Sequence, residues 1–232
     1  MRIAILMANT DESAFADRHP KDSEKFRALM SLARPEWDYP VWSVKDAEFP
    51  NLDDFDGALI TGSPASVNEE MWWMIRLEGL VREVYHGGKP LYGACFGHQI
   101  IAKAFGGVVG DNPTGWVKGV VTPEGALPGY ASHTEQVLEL PSGMDPIASA
   151  PGCDIAGFRV GNKIETTQYH PEMTPEFFSA LLDEYGPALP KEVVETARAS
   201  MAITPDQAAW AEQIAQFFQS YAKDTETDPK AP

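Results

Sequence analysis

Three side chains that can together cleave an amide stand far apart in this sequence: Cys95, His170 and Glu172. A cysteine nucleophile needs a base that takes its proton and later protonates a leaving amine. The base needs an acceptor that fixes its tautomer and stabilises the imidazolium. Cys95 lies in Gly93-Ala94-Cys95-Phe96-Gly97, with one glycine two residues before it and one two after. This is the pattern of a sharp strand-to-helix turn. Its glycines let the two backbones pass close together while the nucleophile is held in a strained conformation. A sulfur there meets a helix N-terminus, where free N–H groups and the helix dipole favour an anion. His170 and Glu172 flank Pro171 just past an expected strand, where residues two apart face one side.

The elements that must position these groups are legible from periodicity. Leu91 and Tyr92 read as a buried strand before the turn, and Ile100, Ile101, Ala104 and Phe105 recur at helical spacing after it. Earlier strands are expected over 2–7, 39–44 and 57–60. A helix capped by Asp22 or Ser23 carries Phe26, Leu29, Met30 and Leu32 on one side. Another, capped by Asn68, turns Trp73, Leu77, Leu80, Val81 and Val84 inward and ends at Gly87-Gly88. Such alternation implies an open, mostly parallel sheet with helices on both faces, whose sites lie beyond the carboxyl ends of the strands. Cys95 and the Thr61–Ser66 loop both fall on that edge.

After Gly107 the texture changes to short strands, some antiparallel, expected over 108–110, 116–122, 135–140, 155–160 and 163–168. Thr174-Pro175 opens a helix through Leu182. Thr204-Pro205-Asp206-Gln207 reads as a capping box leading a helix with Trp210, Ile214, Phe217, Phe218 and Tyr221 on one face, a stripe that docks on the domain. The division expected is 1–185 as the main domain, 186–222 as a helical extension and 223–232 as a polar, disordered tail.

Composition narrows the function. A net charge of −16 over 232 residues leaves no basic patch for nucleic acid or an anionic membrane surface. No apolar run approaches about 20 residues, so no membrane span is expected. The N-terminus reads as a strand and not a signal peptide. Two cysteines, Cys95 and Cys153, make no disulfide framework and suggest a reducing, cytoplasmic setting. With no Cys/His cluster, no metal site is expected, and Cys153 reads as a loop cysteine.

The chain resembles the class I glutamine amidotransferase family, with its Cys-His-Glu type of site. The motifs are G-A-C-F-G-H-Q at 93–99, H-P-E at 170–172 and T-G-S-P-A-S at 61–66, and the likeness covers about 1–185. The spelling C-F-G-H-Q is similar to stand-alone members related to the amidase half of GMP synthase and to γ-glutamyl peptidases. The resemblance implies a flavodoxin-like α/β fold, no cofactor, and release of ammonia from glutamine through a γ-glutamyl thioester. Carried over residue by residue, it makes Cys95 the nucleophile, His170 the base and acid, and Glu172 its orienter. The N–H groups of Gly62 and Phe96 form an oxyanion hole. Gln99, Ser132 and His133 lie toward the substrate, the last two within a stretch similar to the family's S-H-x-D segment. His133 is expected to be structural, and His98 to point into the helix packing. The stretch between Trp116 and Ser132 is shorter than usual in the family, which implies a reduced strand or lid over the site. No synthase domain follows, so an acceptor of ammonia has to be a separate subunit. Two alternatives stay open: a hydrolase of other γ-glutamyl compounds, and an inactive binding module on the same scaffold.

Overall fold

Strand–helix alternation builds the first half: β1 (Ile3–Met7), α1 (Asp22–Ala33), β2 (Val41–Ser43), β3 (Gly57–Ile60), α2 (Trp72–His86), β4 (Leu91–Ala94) and α3 (Phe96–Ala104). Short strands follow: β5 (Val108–Asp111), β6 (Val117–Val121), β7 (Gly129–His133), β8 (Glu135–Glu139), β9 (Asp145–Ala150), β10 (Cys153–Val160) and β11 (Ile164–Thr167). Three helices close the chain: α4 (Pro175–Tyr185), α5 (Lys191–Ser200) and α6 (Gln207–Thr227). This computed structural model describes residues 1–227, and of 222–227 only the backbone. The rest of the expected tail, 228–232, lies outside the described residues.

The main sheet has seven strands in the order β2-β1-β3-β4-β11-β10-β9. The first five run parallel, and β10 and β9 continue antiparallel. Strands β1, β3 and β4 are apolar along their whole length and fully buried, as strands covered on both faces must be. Helices α2 and α3 pack on one face through Trp73, Leu77, Leu80, Ile100 and Ile101. Helices α1 and α6 pack on the other, where Phe26, Met30, Trp210, Ile214 and Phe218 meet Ile3, Ile5 and Leu59. Outside the main sheet, β5 pairs with β8 and β6 pairs with β7. Among the described residues no helix is long and apolar enough to cross a membrane.

Several local expectations are corrected. Leu32 is exposed, because at i+6 from Phe26 the helical period carries it off the face that buries Phe26, Leu29 and Met30. Lys21, not Asp22 or Ser23, holds the cap position of α1, and its N–H donates to the Glu24 carboxylate at 2.7 Å. Asn68 does not cap α2. It sits in a short 3₁₀ turn capped by Ser66, and Met71 precedes the helix. At α6 the cap is Asp206, which accepts from the Ala209 N–H at 3.0 Å, rather than Thr204. The backbone of α6 runs to Thr227, into the expected tail. Cys153 begins a strand instead of lying in a loop, and it is 1% exposed. Strands β7 and β9 were not anticipated as separate elements.

Two histidines are locked inside this frame. His98 on α3 is fully buried, with Nδ1 2.8 Å from Thr166 Oγ1 on β11. Burial, then the neighbouring His133, pushes its pKa down to about 3. Burial likewise takes His133 to about 4. Both stay neutral when folded and bind a proton near their ordinary 6.5 when unfolded. Their contribution to stability is therefore complete above that pH and is lost as pH falls toward the folded values. Each should cost up to about 1.4 kcal/mol per pH unit in that window. Urea unfolding between pH 7 and 5 should show a shallower pH dependence for His98→Gln than for the wild type. Equal slopes would refute the buried neutral imidazole.

Candidate active site

The turn between β4 and α3 is strained at one residue. Cys95 has φ 50° and ψ −105°, a conformation that a residue with a Cβ seldom adopts. Close packing holds it there. A Cβ added at Gly97 would lie 2.4 Å from the carbonyl oxygen of Ile60, and one at Gly93 would lie 2.6 Å from the Gly97 carbonyl group. The Cys95 N–H donates to the Thr167 carbonyl at 2.9 Å, and the Cys95 carbonyl accepts from the Gln99 N–H at 3.1 Å. Phe96 is the first residue of α3, so its N–H has no intrahelical acceptor. Gly62, just past β3, adjoins the same point. A Cβ added there would lie 2.8 Å from His170 Cε1 and 3.7 Å from Cys95 Cβ, so no larger residue fits.

Strand β11 runs parallel to β4 and ends with Thr167 beside Ala94. The chain beyond it is a turn, not the strand end expected from sequence, yet it brings His170 and Glu172 together. His170 Nδ1 lies 2.8 Å from Glu172 Oε1. That commits Nδ1 as the donor and leaves Nε2 free to serve the sulfur, whose neighbourhood to the imidazole shows at Gly62: a Cβ there would meet both His170 and Cys95. The His170 N–H donates to the Tyr130 carbonyl at 2.8 Å, fixing the loop to β7. From behind, Gln207 at the start of α6 donates through Nε2 to the Met173 carbonyl at 3.1 Å.

The electrostatics follow from burial. The Glu172 side chain has 0% exposure, and among the described residues its Oε2 has no hydrogen-bond partner. A buried carboxylate needs a positive partner, and His170 is the group within reach. Burial by itself would lower the pKa of His170. The negative sulfur of Cys95 and the Glu172 carboxylate outweigh it and hold the imidazole well above its ordinary value.

A residue that sequence reasoning missed completes the sulfur's surroundings. Gln168 is fully buried and directs Nε2 to Cys95 Sγ at 3.7 Å. Its Oε1 accepts from Gln99 Nε2 at 3.2 Å, and Gln99 Nε2 also donates to the Glu135 carbonyl at 2.9 Å. The Gln99 amide nitrogen is therefore spent inside the protein, and Gln99 reaches a substrate through its oxygen alone. The signal for Gln168 was its place two residues before His170 at a parallel strand end.

Cys95, His170, Gln99, Ser132 and His133 all line one cleft of about 960 Å³. Its far wall is apolar, with Phe15, Met173, Phe177 and Leu181. Ser132 Oγ accepts from Lys118 Nζ at 2.8 Å. His133 Nδ1 lies 3.0 Å from the Glu135 carbonyl, so that nitrogen carries the proton. His133 Nε2 is buried without a partner in the protein. Among the described residues no group of three or more His, Cys, Asp or Glu could hold a metal ion.

Comparisons with known proteins agree with this architecture. The sequence pattern of class-I glutamine amidotransferases matches residues 28–183. Gamma-glutamyl peptidase 3 of Arabidopsis thaliana is 26% identical, over 93% of this chain and 96% of its own. The glutamine-hydrolyzing GMP synthase of Aliivibrio fischeri is 32% identical over 58% of this chain, which is 28% of that longer protein. A glutamine amido transferase of known crystal structure from Methylobacillus flagellatus superposes with a TM-score of 0.71 at 20% identity, covering 95% of this chain and 94% of its own.

The two cysteines should differ in reactivity. Burial and then Asp154 push the Cys153 thiol up to about 12, whereas Cys95 faces the cleft beside an imidazolium. Iodoacetamide should modify Cys95 first, and His170→Ala should slow that reaction by at least about tenfold. Equal alkylation of Cys95 in the wild type and the variant would show that the imidazole does not activate the sulfur.

Proposed function

The chain belongs to the class-I glutamine amidotransferase family, and on that premise we propose that it is a cysteine hydrolase of the γ-amide bond of glutamine or of a larger γ-glutamyl compound. The observation that supports this is the His170–Glu172 hydrogen bond in the same cleft as Cys95 at its strained elbow. The Cys95 thiolate attacks the γ-carbonyl carbon. The oxyanion so formed accepts from the N–H groups of Gly62 and Phe96, where one donor is typically worth about 2.7–4 kcal/mol. Imidazolium His170 gives its proton to the leaving nitrogen as the C–N bond breaks, which leaves a γ-glutamyl thioester and a neutral imidazole. That imidazole takes a proton from water as the water attacks the thioester carbonyl. Collapse releases glutamate and restores the thiolate beside imidazolium. Throughout, Glu172 keeps His170 Nδ1 protonated, and Gln168 donates to the sulfur. No step requires a cofactor.

Glutamine hydrolysis would release ammonia for an acceptor enzyme on a separate chain. The likeness to part of a GMP synthase supports a partner of that kind. A second reading, hydrolysis of γ-glutamyl peptides or amides without a partner, is favoured by the cleft. Its volume of about 960 Å³ is far more than ammonia needs, and its apolar wall suits a larger leaving group. The likeness to a protein named as a γ-glutamyl peptidase lies on the same side. Both cysteines are free, which supports a reducing, cytoplasmic setting.

Cys95→Ser should abolish turnover without unfolding the protein, as read by thermal melting alongside activity. His170→Ala should lose roughly 10²–10⁴-fold in kcat/KM, and Glu172→Ala less, since it orients the base and does not itself move the proton. Retained hydrolysis in Cys95→Ser would exclude the mechanism. Equal losses in the other two would give Glu172 a different role. Ammonia release from glutamine, measured against amine release from γ-glutamyl peptides, separates the two readings.

A further inference from the structure

We propose that Lys118 is the specificity-determining residue of the cleft, holding the α-carboxylate of the substrate so that only γ-glutamyl groups with a free α-carboxylate are cleaved efficiently. The inference rests on the γ-glutamyl reading of the site and assigns the other end of the substrate.

Lys118 lies on β6 directly across from Ser132 on β7, and both line the cleft that holds Cys95 and His170. Its Nζ donates to the neutral Ser132 hydroxyl at 2.8 Å and stands 5.4 Å from the centre of the Trp116 ring. Among the described residues no carboxylate is paired with it. Two other cleft lysines are matched, Lys25 Nζ at 2.8 Å from Asp22 Oδ1 and Lys45 Nζ at 2.8 Å from Glu12 Oε1 and 2.9 Å from Asp46 Oδ1, and the remaining one, Lys21, is exposed to solvent. Burial lowers the Lys118 pKa to about 8, with no opposing anion to raise it. A desolvated cation without an anion is costly unless one arrives with the ligand.

The γ-glutamyl group carries such an anion. Its α-carboxylate is four carbon–carbon bonds from the reactive carbonyl, a reach of roughly 5 Å. Ser132 is two residues along β7 from Tyr130, whose carbonyl accepts the His170 N–H. That is roughly 7 Å of strand, so β7 ties the Lys118 partner and the His170 loop to nearby positions in one cleft. The protein carries a net charge of −16, whose field disfavours the carboxylate end of a zwitterionic γ-glutamyl group. A cation inside the cleft reverses that locally.

The test compares L-γ-glutamyl-p-nitroanilide with the same compound bearing an α-carboxamide, for the wild type, Lys118→Met and Lys118→Arg. The wild type should favour the carboxylate substrate. Lys118→Met should lower kcat/KM for it by about 10- to 100-fold, mostly through KM, and leave the carboxamide unchanged. Lys118→Arg should recover part of the loss. Equal losses on both substrates would mean that Lys118 only supports the β6–β7 ladder, and no loss would mean that it does nothing for the substrate. Either result overturns the proposal. If Lys118→Met does not fold, Lys118→Gln takes its place. If the wild type cleaves neither compound, the γ-glutamyl reading fails, and calorimetry still decides the role of Lys118. L-glutamate should bind at least tenfold tighter than 4-aminobutyrate, which lacks the α-carboxylate, and Lys118→Gln should erase the difference. Equal binding, or none, overturns the assignment.

Discussion

The close approach of α3 to β3 and β4 is the constraint on which the site depends. Two glycines remove the only atoms that would keep the backbones apart, and the helix then starts almost on top of Ile60. Cys95 takes up the resulting strain in its own φ and ψ, which lifts its side chain out of the sheet toward the cleft. Such a conformation costs on the order of 1–3 kcal/mol and persists only where the surroundings over-determine it. Here they include the Thr167 carbonyl, the first turn of α3 and the fully buried strands on either side. The nucleophile is thus rigid before any ligand enters.

A second asymmetry is set against that rigid sulfur. Glu172 is a buried carboxylate whose side chain has one hydrogen-bonding partner among the described residues, so its charge is stable only opposite a cation. The fold supplies the means of making one at His170, with the sulfur in the same cleft. Gln168 adds a neutral donor without upsetting that balance, because an amide brings a dipole and no charge. Polar groups this deep are satisfied by one another instead of by solvent.

Much of this was legible in the sequence because the signals were local. The elbow glycines, the alternation of strands and helices, and the inward faces of α2 and α6 depend on residues within a few positions of each other. What the sequence hid depends on distant contacts or on competition between equivalent residues. Ser66 and Asn68 are both good capping residues, and only the path of the chain toward α2 decides between them. Leu32 lies six residues after Phe26, which at 100° per residue turns it off the face that buries Phe26, Leu29 and Met30. Cys153 follows a Pro-Gly pair that reads as a loop, yet pairing with β9 makes it the start of a strand. Gln168 was silent because its role exists only once β11 lies against β4. Lys118 falls in the strand expected over 116–122, and nothing in that local pattern marks it.

The hydrogen bond from Gln207 to the turn behind Glu172 has a further implication. The family pattern spans 28–183, yet α6 lies beyond its end and β1, inside the sheet, lies before its start. The family pattern and the mechanical unit therefore have different borders in this molecule. A fragment trimmed to the recognisable motif would keep every reacting atom while stripping one sheet face and loosening the scaffold behind the acid.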